Sequence, residues 1–517
     1  MSEIKILWAD DEIDLLKPQI LFLEQKGYKV EPVTNGHDAL DKCSTEHFDL
    51  VFLDEHMPGI TGLETLSRIK AVNNDLPVVM ITKNEEENIM DEAIGSQIAD
   101  YLIKPVRPNQ ILLSIKKIID NKRLVSEKTS VSYRQEFQNI MMDISSDMDF
   151  NAWAELYKKL IYWDLELDKT NNQEMREIFE MQKTEANREF FKFIQKNYIN
   201  WLQKPNGHTP TLSHTLFKNK VIPNIDNEVP TFFLLIDNLR YDHYRMIEPL
   251  LKERFRKIDE DFFYSILPTT TQYSRNAIFS GLMPSEIDKK YPDKWFYDDE
   301  SAGKNLHEEF FLQEQFKRFG LNLKTSYTKI TNHRDGRELE DNFLNLMNNT
   351  FNVIVYNFVD MLSHARTEME VLKELASDEA AYRSLTLSWF DHSPLLNALE
   401  KLKDKKARII ITADHGTIRV KSPAKVIGDK NTTTNLRYKT GKNLNYNPKE
   451  VFEVRKPEDA FLPKSNVSSS YIFAREDYYF CYPNNYNYFV NYYKNTFQHG
   501  GVSIEEIIVP IAIYETR

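Results

Sequence analysis

Three aspartates in the second half of the chain each follow a β-rich apolar run closely. The pairs of run and aspartate are Thr231–Ile236 with Asp237, Phe351–Phe358 with Asp360, and Arg408–Thr412 with Asp414. In open parallel sheets, ligands bind beyond the carboxyl ends of the strands. Carboxylates at three such ends therefore predict one shared ligand site.

Histidines accompany these aspartates at short spacing. His364 stands four residues after Asp360, which is one turn of a helix. His415 follows Asp414 directly, and His499 precedes two glycines. Mixed carboxylate and imidazole ligand sets are typical of Zn²⁺. The combination predicts a zinc centre.

Three consecutive hydroxyls, those of Thr269, Thr270 and Thr271, lie between the first and the second of these aspartates. A threonine hydroxyl is a poor nucleophile in water, but coordination to a divalent cation lowers its pKa. One of the three is therefore a candidate nucleophile, and the others suit turns and helix caps.

A second set of acidic residues lies near the N-terminus. Asp10 and Asp11 close the first apolar run, and Asp54 closes a later one. Three carboxylates at neighbouring strand ends repel one another unless a cation lies among them, and Mg²⁺ prefers such oxygen ligands. Thr82 and Lys104 end two further runs and would neutralise the oxygens of a phosphoryl group. Asp54 would then accept that group as a nucleophile.

The elements that must position these residues fall into three parts. Residues 1–120 alternate short apolar runs with helical patterns, which predicts a doubly wound (βα)5 domain. Residues 121–205 have almost no helix breakers, because the chain carries neither Gly nor Pro between Pro108 and Pro205. This favours a helical-bundle linker, either an inert spacer or an element that transmits a signal or dimerises. From residue 206 to 517 the α/β pattern returns.

Composition narrows the class of protein. The 517 residues include 78 acidic and 66 basic side chains, a net charge of −12, which disfavours non-specific binding to DNA. Two cysteines cannot form a disulfide framework or a Cys-type zinc site. No run approaches the roughly 20 apolar residues that span a bilayer, so we expect a cytoplasmic protein without membrane insertion.

A locally cationic and aromatic stretch lies between His415 and His499. Its cations are Lys421, Lys425, Lys430, Arg437, Lys439 and Lys442, and the tyrosines that follow are Tyr471, Tyr478, Tyr479, Tyr482, Tyr486, Tyr488, Tyr492 and Tyr493. Such a composition suits single-stranded nucleotide ligands through phosphate attraction and base stacking. A tyrosine-rich stretch nevertheless more often supplies the strands and core of a β structure.

The N-terminal pattern resembles the CheY-type receiver domain of response regulators. The resemblance rests on the acid pair, Asp54, Thr82 and Lys104 followed by Pro105. It implies that Asp54 is phosphorylated by a cognate histidine kinase and that Mg²⁺ binds among the three aspartates. It also implies that Thr82 and Tyr101 are the switch residues.

The C-terminal pattern resembles the alkaline-phosphatase superfamily of two-metal enzymes, over roughly residues 206–517. By that resemblance, one zinc ion takes Asp360, His364 and His499. The other takes Asp237, Asp414 and His415 and touches the nucleophile.

The resemblance also selects one of the three threonines. In the nucleotide-pyrophosphatase branch, the nucleophile stands ten residues before the Gly of a Gly-Leu-x-Pro segment, and counting back from Gly281 gives Thr271. A threonine nucleophile tends to accompany diester substrates, and hydrolysis would pass through a phosphothreonine. Where the branch has a phosphate-binding Asn, this chain has Ser274, followed by Arg275 and Asn276. Any of these three could bind the phosphate oxygen.

The whole arrangement is similar to response regulators of type IX secretion whose output domain is of the PglZ type. That similarity implies a two-component regulator with a PorY-like kinase partner, phosphorylation-dependent dimerisation and hydrolysis of cyclic and linear oligonucleotides. It also implies action with a sigma factor. One alternative is a regulatory scaffold with structural metals that docks a transcription partner, and another is a phosphomonoesterase.

Overall fold

The computed structural model describes residues 4–73, 76–83, 98–170, 172–297, 305–368, 378–429, 432–464, 466 and 468–517, without the side chains of 119–127 and 364–368. The chain forms two compact units. One comprises Met1–Arg134 with Lys169–Asn172, and the other comprises Gln135–Asp168 with Gln173–Arg517.

The first unit contains a five-stranded parallel sheet in the order β2-β1-β3-β4-β5. Its strands are β1 (Ile4–Ala9), β2 (Tyr28–Val33), β3 (Leu50–Asp54), β4 (Val78–Thr82) and β5 (Asp100–Ile103). Its helices are α1 (Lys17–Gln25), α2 (Gly36–Thr45), α3 (Gly62–Val72) and α4 (Pro108–Ile115). Apolar clusters lie on both faces of the sheet, which is why β3 and β4 are buried throughout. The predicted doubly wound fold is confirmed.

Three helices follow: α5 (Asn121–Ser145), α6 (Phe150–Asp168) and α7 (Gln173–Gln203). The aromatic rings of α6 and α7 contact each other, with the centroids of Trp153 and Phe190 5.1 Å apart. They also pack against a strand of the second unit, because the centroids of Trp201 and Tyr264 lie 5.7 Å apart. Helices α6 and α7 are thus integral to the second unit.

The second unit is built on a six-stranded mixed sheet in the order β7-β18-β10-β6-β9-β8. The strands of the unit are β6 (Thr231–Ile236), β7 (Phe255–Tyr264), β8 (Thr325–Ile330), β9 (Phe351–Tyr356), β10 (Arg408–Thr412), β11 (Ile418–Arg419), β12 (Ser422–Lys425), β13 (Tyr438–Gly441), β14 (Val451–Val454), β15 (Ser470–Ala474), β16 (Tyr478–Cys481), β17 (Phe497–Gln498) and β18 (Ile508–Thr516). Strands β10, β6, β9 and β8 are parallel, whereas β18 runs antiparallel to β10 and β7. This is the predicted second α/β domain.

The helices of this unit carry several of the residues described below. They are α8 (Tyr241–Arg254), α9 (Asn276–Ser280), α10 (Pro284–Lys290), α11 (Glu308–Arg318), α12 (His333–Asn342), α13 (Phe358–Glu368), α14 (Glu379–Asp391), α15 (Pro394–Glu400), α16 (Tyr486–Tyr493) and α17 (Ile504–Ile507). The three central parallel strands, β10, β6 and β9, are buried along almost their whole length, as expected for strands covered on both faces.

The segment between His415 and His499 forms small β structures: the pairs β11-β17 and β12-β16, and the sheet β13-β15-β14. Tyr471 and Tyr479 are buried within them, whereas Tyr488 of α16 is 63% exposed. Two of the cations, Arg437 and Lys439, are also buried, whereas Lys421, Lys425 and Lys442 are exposed. Lys430 lies outside the described residues. The packing therefore favours strands and core over a basic groove for these buried residues.

Candidate active site

The ends of three neighbouring strands bring the predicted aspartates together. Asp237 follows β6, Asp360 lies in the first turn of α13 after β9, and Asp414 comes shortly after β10. Because β10, β6 and β9 are adjacent and parallel, their carboxyl ends share one edge of the sheet. Asp237 and Asp414 are both almost fully buried there.

His415 and His499 complete two sides of this site. The Nε2 atom of His415 lies 3.9 Å from Asp237 and 3.8 Å from Asp414. The Nε2 atom of His499 lies 3.5 Å from Oδ1 of Asp360. The two imidazoles stack with their centroids 4.3 Å apart. The structure thus brings five of the predicted ligands into one site.

Hydrogen bonds to the backbone orient both imidazoles. Nδ1 of His415 lies 3.0 Å from the Gly416 carbonyl oxygen, and Nδ1 of His499 lies 3.2 Å from that of Thr269. Each Nδ1 therefore donates its proton to a carbonyl, which leaves Nε2 as a lone-pair donor facing the carboxylates. Such outer hydrogen bonds fix the tautomer of metal-binding histidines.

The backbone of His364 lies on α13, one turn after Asp360, but its side chain lies outside the described residues. Its predicted role as a zinc ligand stays a prediction.

Thr271 is the threonine of the trio that faces this site. Its hydroxyl oxygen lies 3.3 Å from Nε2 of His415 and 3.5 Å from Oδ1 of Asp237. The hydroxyl of Thr269 instead donates to the Gly501 carbonyl and accepts from the Gly500 N–H, which makes it a structural residue. Thr271 thus stands where a nucleophile could share the cations that Asp237 and His415 would hold.

Arg275 contributes a buried positive charge. Its guanidinium forms ion pairs with Asp237, with Asp414 at 3.0 Å and with Glu308 at 3.5 Å. Its Nη1 also donates to Asn357 Oδ1 at 3.2 Å. Arg275 therefore ties the carboxylates of two strand ends to each other.

The carboxylates nevertheless outnumber this one cation. Burial raises the pKa of Asp237 well above its ordinary value, and the charges of Asp414 and Asp360 add to this although Arg275 opposes it. Burial alone would also raise the pKa of Asp414, but Arg275 and His415 lower it below its ordinary value. Ligand atoms of Asp237, Asp414 and His415 lie within 4.8 Å of one another. Crowded carboxylates with two imidazole donors fit the Zn²⁺ ions predicted from the sequence.

Ser274 and Asn276, the other two candidates for phosphate binding, have internal partners. The Ser274 hydroxyl lies 2.8 Å from that of Ser265, and the Asn276 amide donates to the Gln272 carbonyl at 2.8 Å. Among the three candidates, Arg275 is the one paired with the site's aspartates.

Asn238 is a further residue of the site that the sequence patterns did not single out. Its N–H donates to Asp414 at 3.3 Å, and its side-chain amide donates to Asp360 and to Ser363, both also at 3.3 Å. Its φ of 64° is left-handed, a conformation that Asn tolerates better than most residues. The sequence feature that could have identified Asn238 is its position directly after Asp237, at the end of a strand.

The first unit has its own acidic site at the ends of β1 and β3. Ligand atoms of Asp10, Asp11 and Asp54 lie within 4.8 Å of one another. The Lys104 ammonium lies 2.7 Å from Asp10 and 3.1 Å from Asp54. Burial raises the pKa of Asp54, although Lys104 opposes this. The all-oxygen donor set fits Mg²⁺.

The two predicted switch residues occupy neighbouring strands of the same sheet. Thr82 ends β4 and is fully buried, and Tyr101 of β5 is partly buried. Met80 pairs with Tyr101 in the register of these strands, and Thr82 pairs with Ile103. Strands β4 and β5 follow β3 in the order of the sheet. Thr82 and Lys104, at the ends of β4 and β5, therefore lie on the same side of Asp54.

Comparison with protein families identifies the class of each part. A family model described as a response regulator receiver domain matches residues 6–116. One described as the PorX response regulator linker domain matches residues 123–202. A third, the BREX system PglZ alkaline phosphatase-like domain, matches residues 216–514.

Individual relatives match at the N-terminal region. The transcriptional regulatory protein ResD of Bacillus subtilis is 27% identical over 151 residues, which cover 29% of this chain and 61% of ResD. The CpxR homolog of Haemophilus influenzae is 36% identical over 130 residues, which cover 25% of this chain and 55% of that protein. The chain thus spans less than two thirds of the length of these relatives. A CheY-like receiver crystal structure from Methanospirillum hungatei is 28% identical, with a TM-score of 0.23, and covers 23% of this chain and 96% of that one.

The chain combines a receiver domain of the response-regulator type with an alkaline-phosphatase-like domain. It belongs to the PglZ alkaline phosphatase-like domain family, whose model matches more than half of its length. Among the described residues, no helix is both long and apolar enough to cross a membrane.

Proposed function

We propose that the output domain is a zinc-dependent phosphodiesterase that uses Thr271 as its nucleophile and is controlled by phosphorylation of Asp54. The observation that carries this proposal is the position of the Thr271 hydroxyl, 3.3 Å from His415 and 3.5 Å from Asp237. A scaffold with structural metals has no need of a hydroxyl beside two metal ligands.

The chain supplies the ligands, the nucleophile and a positive charge. Asp360, His364 and His499 would hold one Zn²⁺, and Asp237, Asp414 and His415 the other. When bound, the two ions would lower the pKa of the Thr271 hydroxyl and neutralise the phosphate. Thr271 Oγ would then displace the leaving alcohol and form a phosphothreonine, which water hydrolyses.

Arg275 has a fixed place in this scheme. Its guanidinium is fully buried between Asp237 and Asp414. It would hold the two carboxylates at a fixed separation and close to the ions, and the net positive charge of the loaded site would attract a phosphodiester.

We further propose cyclic and linear oligonucleotides as substrates and a role in type IX secretion. The support is the linker, which matches the PorX response regulator linker domain, and the receiver, which implies a histidine kinase of the PorY type as phosphodonor. A sigma factor is a proposed partner on the same ground.

The test is hydrolysis of bis(p-nitrophenyl) phosphate by the zinc-loaded full-length chain. We expect Thr271→Val to lose activity by a factor of about 10³ or more, as for other removed nucleophiles. Thr184→Val is the matched control, because the exposed Thr184 hydroxyl bonds only to its own helix, at the Glu180 carbonyl. Equal activity of wild type and Thr271→Val would refute the nucleophile. No hydrolysis by the zinc-loaded wild type would favour the scaffold, and preference for p-nitrophenyl phosphate would favour a phosphomonoesterase.

A further inference from the structure

A network of charged side chains, buried at its centre, joins helices α6 and α7 to the loops that carry the candidate ligands. Its carboxylates are Asp164, Asp168, Asp242, Glu379 and Glu505, and its cations are Arg176, Lys183, Arg240 and Arg383. All of these residues belong to the second compact unit.

Arg240 is the member nearest to the candidate active site. It stands three residues after Asp237 and is 3% exposed. Its Nε donates to Asp242 at 2.9 Å, and its Nη2 pairs with Glu379 at 2.6 Å. Its Nη1 donates to the carbonyl of Thr417 at 3.4 Å. One guanidinium thereby connects the loop after β6 with the loop after β10.

The second of these loops fits closely around Arg240. A Cβ atom on Gly416, the residue after His415, would lie 3.3 Å from Cγ of Arg240 and 2.0 Å from the Glu505 carbonyl oxygen. Glycine is required here because of this close approach. Because Arg240 also donates to the Thr417 carbonyl, a shift of its guanidinium would alter a contact to the loop that carries His415.

Arg383 relays this arrangement to helix α6. Its Nη1 lies 3.1 Å from the same Asp242 carboxylate that holds Arg240. Its Nη2 lies 3.3 Å from Asp164 of α6 and also pairs with Asp168. The path from the linker to the ligand loop thus runs from Asp164 through Arg383, Asp242 and Arg240.

Helix α7 makes a second connection, at the other imidazole. The side-chain Oδ1 of Asn187 accepts from the Ile504 N–H at 2.8 Å, and its side-chain amide donates to Glu505 at 3.0 Å. The neighbouring Glu506 accepts from the Gly501 N–H at 2.9 Å, two residues after His499. The loops that carry His415 and His499 are therefore both connected, through side-chain contacts, to a linker helix.

The inner members of this network, Asp164, Asp242, Arg240 and Arg383, are ion-paired although they are buried. Burial alone would raise the pKa of Asp242, but Arg240 and the other neighbouring cations lower it well below its ordinary value. Buried ion pairs are weak contributors to stability, since apolar residues of similar size often stabilise as well. Buried ion pairs do fix the relative positions of the elements that they join, because each donor must lie within hydrogen-bond distance of its acceptor. This favours a role in positioning over a role in stability alone.

We propose that Asp164 and Arg240 are positioning residues, through which helix α6 sets the geometry of the loops that carry Asp237 and His415. The linker is then a working part of the output domain rather than a spacer. The inference rests on the proposed function for its kinetic readout, but its metal readout is independent of that function.

The test compares Asp164→Asn with wild type in the full-length chain. The zinc dissociation constant is measured by competition with a chromophoric chelator, and kcat and KM are measured with bis(p-nitrophenyl) phosphate. We expect zinc to bind about 10-fold more weakly and kcat to fall about 10-fold, the size typical of supporting residues at metal sites. KM should change far less, and Asp164→Glu should recover part of the zinc affinity. Glu155→Gln, whose side chain lies on the same helix and is 66% exposed, is the matched control and should behave as wild type.

The outcomes separate this inference from the proposed function. A folded Asp164→Asn with unchanged zinc affinity and kcat but a lower melting temperature overturns the positioning role. If Asp164→Asn does not fold, Arg176→Gln is the second variant, because the Arg176 side chain pairs with Asp164 and Asp168 and is 23% exposed. Its zinc affinity and kcat then test the positioning role. If the wild type binds zinc but hydrolyses nothing, the proposed function is refuted. The zinc dissociation constants of the variants still test the positioning role in that case. A wild type that binds no zinc overturns both.

Discussion

The hydroxyl oxygen of Thr271 lies 3.3 Å from Nε2 of His415, a residue 144 positions further along the chain. This contact joins the start of the helical turn Thr271–Arg275 to the loop after β10. A threonine hydroxyl is a weak nucleophile by itself, and His415 is a predicted ligand of the cation that would activate it. Their proximity is what the proposed mechanism requires. The predicted metal ligands are therefore tested first.

His499 is predicted to hold one metal ion with Asp360, since its Nε2 faces that carboxylate at 3.5 Å. We expect His499→Ala to bind one Zn²⁺ fewer per chain and to lose phosphodiester hydrolysis by about 100-fold or more, because the clamp on the phosphate requires both ions. Atomic absorption gives the stoichiometry. His333→Ala removes an exposed histidine and should retain the wild-type metal content. Unchanged stoichiometry in His499→Ala would remove His499 from the ligand set.

Asn238 is predicted to hold Asp360 and Asp414 at a fixed separation. Asn238→Gly keeps the left-handed backbone but loses the side-chain amide, so we expect kcat to fall roughly 10- to 100-fold with little change in melting temperature. Asn238→Ala should add a destabilisation of about 1 kcal/mol, because a Cβ disfavours that conformation.

The control for Asn238 is Asn443→Gly, which removes an exposed Asn of similar φ, 50°, and should change neither quantity. If Asn238→Gly hydrolyses the diester at the wild-type rate, the amide has no part in positioning the two carboxylates.

The sequence allowed the strands to be predicted because apolar runs and strand-end acids are local patterns. Asp237, Asp360 and Asp414 come together because adjacent parallel strands end at one edge, a rule that needs no coordinates. The partners of Arg240 and Arg383 could not be predicted, since each pairs with carboxylates from distant helices. Charges that pair only in the folded chain have no periodicity to reveal them.

The cationic stretch between His415 and His499 is a second case in which the sequence could not predict which charges are buried. Composition alone left a nucleotide-binding surface open, although it favoured a β structure. The structure buries Arg437 against Glu506, at 2.6 Å, and Lys439 under Tyr482. Which cations are internal depends on the strands β13 to β15, and no local pattern distinguishes a buried lysine from an exposed one.

Asp54 is predicted to be the single phosphorylation site that changes the oligomeric state. In the presence of Mg²⁺ and beryllofluoride, a phosphoryl mimic, we expect the mass of the wild type in sedimentation to double. Asp54→Asn should stay at its initial mass, because the carboxylate that binds the mimic is gone. Asp41→Asn, an exposed acid of α2, should dimerise as wild type does. An unchanged wild-type mass would contradict the dimerisation switch.

Lys439 makes the stability of the output domain depend on pH. Burial lowers the pKa of its ammonium from 10.5 to about 7, although its Nζ donates to the Thr433 carbonyl at 2.7 Å and lies 4.7 Å from the Tyr482 ring centroid. Between these two pKa values the unfolded chain binds a proton that the folded chain does not. The free energy of unfolding therefore rises with pH from 7 to 10.5, and the cost of burying Lys439 is fully present below pH 7.

Lys439→Met removes this titration while filling a similar volume. We expect the variant to gain stability relative to wild type at pH 7, and this advantage to shrink by up to about 1.4 kcal/mol per pH unit toward pH 10. Urea unfolding at several pH values, followed by tryptophan fluorescence, measures the difference. Lys449→Met, at an exposed position, should show no such trend because its ammonium is hydrated in both states. A difference between Lys439→Met and wild type that is constant from pH 7 to 10 would mean that Lys439 is protonated in the folded chain throughout, with the Thr433 carbonyl and the Tyr482 ring sufficient to hold its charge.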